Sequence, residues 1–261
     1  MSIDVKNVCI STNSAKDILK DISFSVRSGE ITTIIGTNGA GKSTLLKAIM
    51  GDITINSGDI LLHGKAINPK QVTPFKARCI SFLPQLSLLN FPYTIREVVR
   101  LGRTPHHTGD SIDATIVDEC LEVVEMQDFS QRLYPQLSGG EKQRVQIARV
   151  LAQIWREQDC KSPRVLLLDE PNTSLDLGHQ QKLMQFLQQF KHNNVAILMV
   201  LHNLNTASNY SDQLIALHQG SIIATGSPKK IIHPPLIEEL FGVTCQIITH
   251  SSTGKPIILE T

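Results

Sequence analysis

No apolar run in this sequence approaches the roughly 20 residues that a membrane-spanning helix requires; the longest, VAILMVL at 195–201, falls far short. Nor does one sign of charge dominate. The 25 basic and 24 acidic residues leave a formal net charge of +1, so composition makes no electrostatic case for nucleic acid or an anionic membrane as a direct partner. Cysteine is sparse and scattered: Cys9, Cys79, Cys120, Cys160 and Cys245 are odd in number and lack any C-x-x-C spacing. That pattern excludes a zinc-finger arrangement and reads as reduced thiols of a cytosolic protein rather than a disulfide framework. The start, MSIDVKNVCIS, has no basic-then-apolar signal pattern. There is no repeat, low-complexity tract or coiled-coil insertion. Together these absences predict a soluble cytoplasmic chain, free to dock on a membrane protein. With 261 residues, 41% of them hydrophobic, it has enough apolar material for one core or two closely joined ones.

The first 35 residues alternate in short strands, IDVKNVCI, ISFSV and ITTIIG, with RSGE as a turn between the last two. A helix is predicted from about Lys42 to Met50, stopping at Gly51. GDILLHGKAI and CISFLPQ read as further strands. From about Thr94 to Met126 the apolar spacing turns helical, in TIREVVRLG and DATIVDECLEVVEM. RVLLLD and VAILMVL are continuous apolar runs of strand length, as in a parallel sheet covered on both faces. LGHQQKLMQFLQQFK and NLNTASNYS read as helices flanking the second run. The tail IALHQGSIIATGSPKKII returns to hairpin chemistry with Gly220 at the turn, and WREQDCKSPR (155–164) reads as a loop-like polar insertion.

GTNGAGKST (36–44) follows an apolar strand and precedes a helix, and it fits G-x-x-x-x-G-K-[ST]. Glycines let backbone N–H groups wrap phosphates, and the helix start adds partial positive charge. Gly36, Thr37, Asn38, Gly39, Ala40, Gly41, Lys42, Ser43 and Thr44 are therefore the expected nucleotide-phosphate-binding loop. Lys42 is expected on the β- and γ-phosphates, the Ser43 hydroxyl on Mg²⁺ and Thr44 near an α-phosphate oxygen. RVLLLDEP (164–171) places Asp169 at the carboxyl end of a buried strand, as a Mg²⁺ ligand through water. Glu170 follows. By itself this pair reads equally as a solvated acidic pair; beside a phosphate loop, Glu170 is the general base for an attacking water.

These two elements fit kinases, GTPases, helicases and transport ATPases alike. LSGGEKQR (137–144) separates them. Ser138-x-x-Glu141 fits a capping box that opens a long helix, yet a helix start has no need of Gly139 and Gly140, which cost roughly 1 kcal/mol each in chain entropy. Something must come close to that bare backbone.

LSGGE resembles the signature motif of the nucleotide-binding subunits of ATP-binding cassette (ABC) transporters, and the similarity runs over nearly the whole chain. The family implies an α/β fold: a P-loop NTPase (RecA-like) core with a mixed sheet, an N-terminal antiparallel β subdomain and a helical signature subdomain. Residues 1–261 then form a single cassette, with 1–84 and 164–261 as core and β subdomain and about 86–163 as helical subdomain. The resemblance also implies a head-to-tail homodimer, in which Ser138, Gly139 and Gly140 of one copy contact the γ-phosphate held by the other copy's loop. Gln85 looks like the Q-loop glutamine that senses Mg²⁺ and water and links to the membrane subunit; Asp176 of NTSLD matches the D-loop, and His202 the switch histidine that contacts the γ-phosphate and orients Glu170. Three positions depart from the family. Residues 10–16, where an aromatic usually stacks on adenine, contain none; Asn172 stands where threonine is frequent, and Asn203 where aspartate is. Neither asparagine replaces a group with a direct chemical role.

FPYTIREVVRLGRTPHH (91–107) is similar to importers of iron chelates, haem and vitamin B12, and ARVLAQIW followed by a polar insertion and PRVLLLDEP is most like haem-import ATPase subunits. This implies a Mg²⁺-dependent ATPase on the cytoplasmic face of the inner membrane. It would bind two permease subunits and meet a periplasmic or surface haem-binding protein only indirectly, with no nucleic acid involved. Ferric siderophore and vitamin B12 are the alternative cargoes. A non-transport ABC ATPase would carry long coiled coils or a second cassette, and this chain has neither. His106 and His107 are expected as solvent-exposed residues of a docking loop.

Overall fold

The computed structural model describes residues 2–11, 17–67, 73–85, 89, 91–156, 158, 160, 162–251 and 253–260. The strands are β1 (Ile3–Ser11), β2 (Asp17–Val26), β3 (Ile31–Ile35), β4 (Ser57–Leu62), β5 (Lys65–Ala66), β6 (Ile80–Leu83), β7 (Arg164–Asp169), β8 (Val195–Val200), β9 (Gln213–His218), β10 (Ser221–Gly226), β11 (Cys245–Thr249) and β12 (Pro256–Glu260). The helices are α1 (Lys42–Met50), α2 (Pro74–Cys79), α3 (Ile95–Arg100), α4 (Asp110–Val123), α5 (Gly139–Gln153), α6 (Leu177–Phe190), α7 (Leu204–Tyr210), α8 (Pro228–Ile231) and α9 (Pro234–Phe241). They fall into two compact units, residues 1–71 with 196–261, and residues 72–195.

In the first unit, β2, β1, β4 and β5 form an antiparallel sheet. Its alternation of buried and exposed residues puts Ile22, Phe24 and Val26 on one face. The pattern slips between Leu19 and Ile22, where Asp21 takes φ +51° and the β1–β2 register shifts, as in a bulge. A second, mixed sheet has β3 parallel to both β8 and β9, with β10 antiparallel to β9. Every residue of β3 and β8 is buried, as expected of strands covered on both faces. The β9–β10 turn holds Gln219 and Gly220 at φ +46° and +83°. Helix α1 ends as the sequence predicts: Gly51, at φ +80°, donates its N–H to Ala48 O. The C-terminal hairpin β11–β12 is tied to α7 by Asn205, which donates to Ile258 O (3.0 Å) and accepts from Ile258 N–H (2.8 Å).

In the second unit, β6 and β7 pair in parallel from Ile80↔Val165 to Leu83↔Leu168, and α5 packs on α3, α4 and β6. Helix α3 opens with a capping box of Thr94 and Glu97. Between the ends of the stretch 155–164 the described residues are largely irregular, as their polarity predicts, but both end residues are packed. Trp155 stacks on Phe186 and Phe190, with ring centroids 6.1 and 5.6 Å away, and its indole N–H donates to Glu119 (2.6 Å). Arg164 is fully buried: it donates to the carbonyls of Ile154 (2.7 Å) and Trp155 (2.6 Å) just past α5, and its guanidinium lies 5.9 Å from the Phe190 ring centroid.

Two expectations fail here. Cys79 and Cys160 are not reduced thiols but a disulfide, with Cα atoms 5.7 Å apart across 81 residues of sequence; linear spacing cannot reveal that α2 and the segment after α5 meet within bridging range. His106 is buried rather than solvent-exposed, its Nε2 2.8 Å from Gln153 O. His107 is exposed.

Candidate active site

The phosphate loop is shaped by backbone. Gly36 takes φ +151°, and a Cβ there would lie 2.1 Å from Leu217 O; at Gly41, φ +103°, it would lie 2.6 Å from Leu19 Cδ2. A side chain at either position collides with the wall behind the loop, so the loop keeps this shape only with glycine there. Lys42 is buried and its ammonium donates to Gly36 O and Thr37 O, both at 2.8 Å. Asn38 and Gly39 are exposed, Thr37, Ser43 and Thr44 half-buried, and Ala40 buried. Helix α1 starts with no side-chain cap and no acid in its first turn, an arrangement that keeps its backbone donors and dipole available to an anion. In the same unit, exposed His202 follows β8, and Asn203 caps α7 by accepting from Thr206 N–H (2.8 Å).

The second unit holds the acidic pair after β7 and the LSGGE stretch. Asp169 is buried at the end of β7. Glu170 takes φ +54°, a left-handed conformation that costs a non-glycine residue roughly 1–2 kcal/mol. It breaks the strand alternation, so Asp169 and Glu170 are not obliged to face opposite sides. Thr173 closes this turn, its N–H donating to Glu170 O (3.2 Å) and its hydroxyl to Glu170 Oε2 (3.4 Å). Gln85 lies exposed two residues past β6.

The start of α5 is a complete capping box. Glu141 N–H donates to Ser138 Oγ (3.4 Å), and Glu141 Oε2 accepts from Ser138 N–H (2.8 Å) and Ser138 O–H (2.7 Å). The two bonds from Ser138, first the side-chain one, hold the Glu141 carboxyl below the usual range. The glycine pair divides its duties. A Cβ on Gly140 would lie 2.8 Å from Ser174 O, whereas one on Gly139 meets nothing nearer than Ser174 Cβ at 3.8 Å. Gly140 is therefore required by the chain's own loop, and only Gly139, exposed with Ser138, presents bare backbone outward. Asp176 caps α6: it accepts from His179 N–H (2.9 Å) and lies 2.8 Å from His179 Nδ1, and these contacts, the backbone one foremost, hold its carboxyl down.

The second unit thus brings the signature together with the loop after Glu170. Sequence reasoning missed the clasp between them, Gln143 Nε2 donating to Pro171 O (3.1 Å). Its trace was there, because Gln143 is four residues past Gly139 and so on the same helix face. The adenine-stacking question, at residues 10–16, falls mainly on positions outside the described residues. The proposed magnesium ligands, the Ser43 hydroxyl, the Asp169 carboxylate and the Gln85 amide oxygen, are all hard oxygen donors of the kind Mg²⁺ takes.

The sequence model of a family described as "ABC transporter" matches residues 19–173. The hemin import ATP-binding protein HmuV of Plesiomonas shigelloides is 40% identical over 250 residues, covering 92% of this chain and 95% of that one. HmuV of Gloeobacter violaceus is 42% identical over 246 residues, covering 93% and 88%. Among solved structures, an ATP-binding subunit of an ABC transporter is 26% identical with a TM-score of 0.77, covering 93% of this chain and 94% of its own. An inward-facing, putative metal-chelate type ABC transporter shares the fold with a TM-score of 0.80 at 23% identity, covering 100% and 97%. With a family model that matches more than half of the chain and relatives at 40% and 42% identity covered over most of their length, the chain belongs to the ABC transporter family.

Proposed function

We propose that this chain is the ATP-hydrolysing subunit of an importer, powering uptake of haem through an inner-membrane permease from the cytoplasmic face. The observation that carries the reading is the start of α5, where Ser138 and Gly139 are exposed, capped and free of side-chain bulk; haem as cargo follows from the names of relatives 40% and 42% identical. Among the described residues no helix is long and apolar enough to cross a membrane, so attachment is assigned to two permease subunits. A haem-binding protein outside the membrane delivers cargo without touching this chain.

The backbone N–H groups of residues 37–44 and the positive end of α1 bind the phosphates. Lys42 exchanges the carbonyls of Gly36 and Thr37 for β- and γ-phosphate oxygens, and Thr44 supports the α-phosphate. Ser43, Asp169 and Gln85 would hold magnesium, which neutralises charge on the phosphates when bound. Glu170 takes a proton from the attacking water, and His202 orients Glu170 and contacts the γ-phosphate. Ser138, Gly139 and Gly140 of a second copy complete the pocket, with Asp176 in the adjoining loop, so two ATP molecules are sandwiched in a head-to-tail homodimer. Phosphoryl transfer to water needs chiefly positioning and charge stabilisation, which this set provides.

The chain co-expressed with a permease encoded beside it and reconstituted in vesicles tests the proposal. ATP-dependent haem uptake and permease-stimulated ATPase activity are expected. Uptake of a ferric siderophore or cobalamin in place of haem reassigns the cargo, and recovery with ribosomes or DNA and no permease overturns the transport role. Ser138→Arg is expected to abolish turnover while the isolated chain keeps nucleotide affinity; loss of binding places the signature's action within its own chain.

A further inference from the structure

Helix α5 has the signature at one end and Gln153 at the other, 15 residues or about 22 Å apart. The Gln153 amide is fully engaged at a single seam of the second unit. Its Nε2 donates to Ala77 O (2.7 Å) and Ile80 O (3.0 Å), and its Oε1 accepts from Ser81 Oγ (3.1 Å). Its own backbone carbonyl is met by buried His106 Nε2 at 2.8 Å. Ala77 lies in the last turn of α2, where carbonyls lack helical partners, and Ile80 and Ser81 open β6. One side chain therefore satisfies the junction from which β6 runs to Leu83 and on to Gln85. The Cys79–Cys160 bridge crosses the same seam: Cys79 sits between the two carbonyls that Gln153 holds, and Cys160 lies seven residues past Gln153.

The geometry points to Gln153 as a positioning residue: it locks the strand that delivers Gln85 to the far end of the signature helix, so that displacement imposed at Gln85 reaches Ser138 and Gly139 as movement of one rigid piece. This rests on the proposed permease-coupled ATPase. The Gln153 bonds all lie within the second unit, so removing its amide affects coupling rather than ATP affinity.

Gln153→Met keeps length and volume but makes none of the three bonds. In vesicles containing chain and permease, it is expected to lower permease-stimulated kcat about tenfold, the scale of a few lost net hydrogen bonds, with KM for ATP within about twofold of wild type. Gln153→Glu, which retains the acceptor but cannot donate to Ala77 and Ile80, is expected to behave alike. Unchanged stimulation in folded Gln153→Met, or KM rising in step with a falling kcat, overturns the assignment. Should Gln153→Met not accumulate as folded protein, Ser81→Ala, which removes one bond, carries the test: about a threefold loss of stimulation is expected, and none overturns the assignment. A wild-type complex without permease stimulation refutes the underlying function instead, a result distinct from equal stimulation of wild type and variant.

Discussion

The phosphate-loop unit and the signature unit prepare their functional backbone by opposite means. In the first, glycines at φ values forbidden to other residues wrap the loop, Lys42 is buried against the loop's own carbonyls, and α1 begins with neither cap nor acid. In the second, α5 begins with a full capping box, and the loop beside it is shaped by non-glycine residues at positive φ, Glu170 and Ser174. The difference teaches what each end must do. Under the proposed function, a helix start that receives phosphate inside its own chain keeps its donors uncommitted, whereas one that presents backbone outward to a second copy is held by its own side chains.

The sharpest way to break this comparison is Glu170→Gln. Turnover is expected to fall by about 10³-fold, within the usual range for losing a general base, while nucleotide binding persists and a stable ATP-bound dimer accumulates, as read by gel filtration. Rapid turnover by that variant removes Glu170 from its role, and loss of binding erases the division of labour between the units.

The glycine pair sharpens the comparison at the signature end. Gly140→Ala pushes a Cβ to 2.8 Å from Ser174 O and is expected to cost about 1–3 kcal/mol of stability through overpacking, whereas Gly139→Ala should be neutral or slightly stabilising, since alanine is the better helix former. Thermal melts of the two variants decide it; equal losses would mean that the neighbouring loop does not set the need for Gly140.

Cys79→Ser tests whether the second unit depends on its covalent staple. Opening a loop of 81 residues of separation is worth up to about 4.5 kcal/mol by chain entropy and more often 2–4 kcal/mol in practice. Free-thiol counting without reductant checks the bridge itself, and denaturant melts with and without reductant should differ for wild type and coincide for the variant.

The smallest effect is acidic. Glu141 titrates below its ordinary value when folded, so the capping box contributes fully above the unfolded carboxyl pKa of about 4.3 and is lost as pH falls through the lower folded value. Amide exchange at the start of α5 should quicken over that fall. The start of α1, with no acid in its first turn, should show no matching step; a step there removes the contrast between the two helix starts.

Local chemistry was legible. The phosphate loop, the helix from Lys42 to Gly51, the Ser138–Glu141 box, the buried runs of β7 and β8 and the Gly220 turn depend on residues a few positions apart, and spacing records such neighbours. The alternation of β2 was legible over Ile22–Val26, but not in its first half from Asp17, where the bulge at Asp21 breaks the count. Cys79–Cys160, the burial of His106 and Arg164, and the Gln153 seam were hidden, because each joins positions that no periodicity links.

The sequence by itself determined the glycine-lysine loop that opens α1, the buried strand that ends in Asp169 and Glu170, and which helix opens with bare backbone, since glycine, lysine and cap residues act over a single turn. Tertiary structure alone decided that Gly140 answers to Ser174 and Gly139 to the outside, and that α5 is fastened at both ends, through Gln143 and Gln153. Those are contacts between elements distant in sequence, and only packing sets the distances that make them.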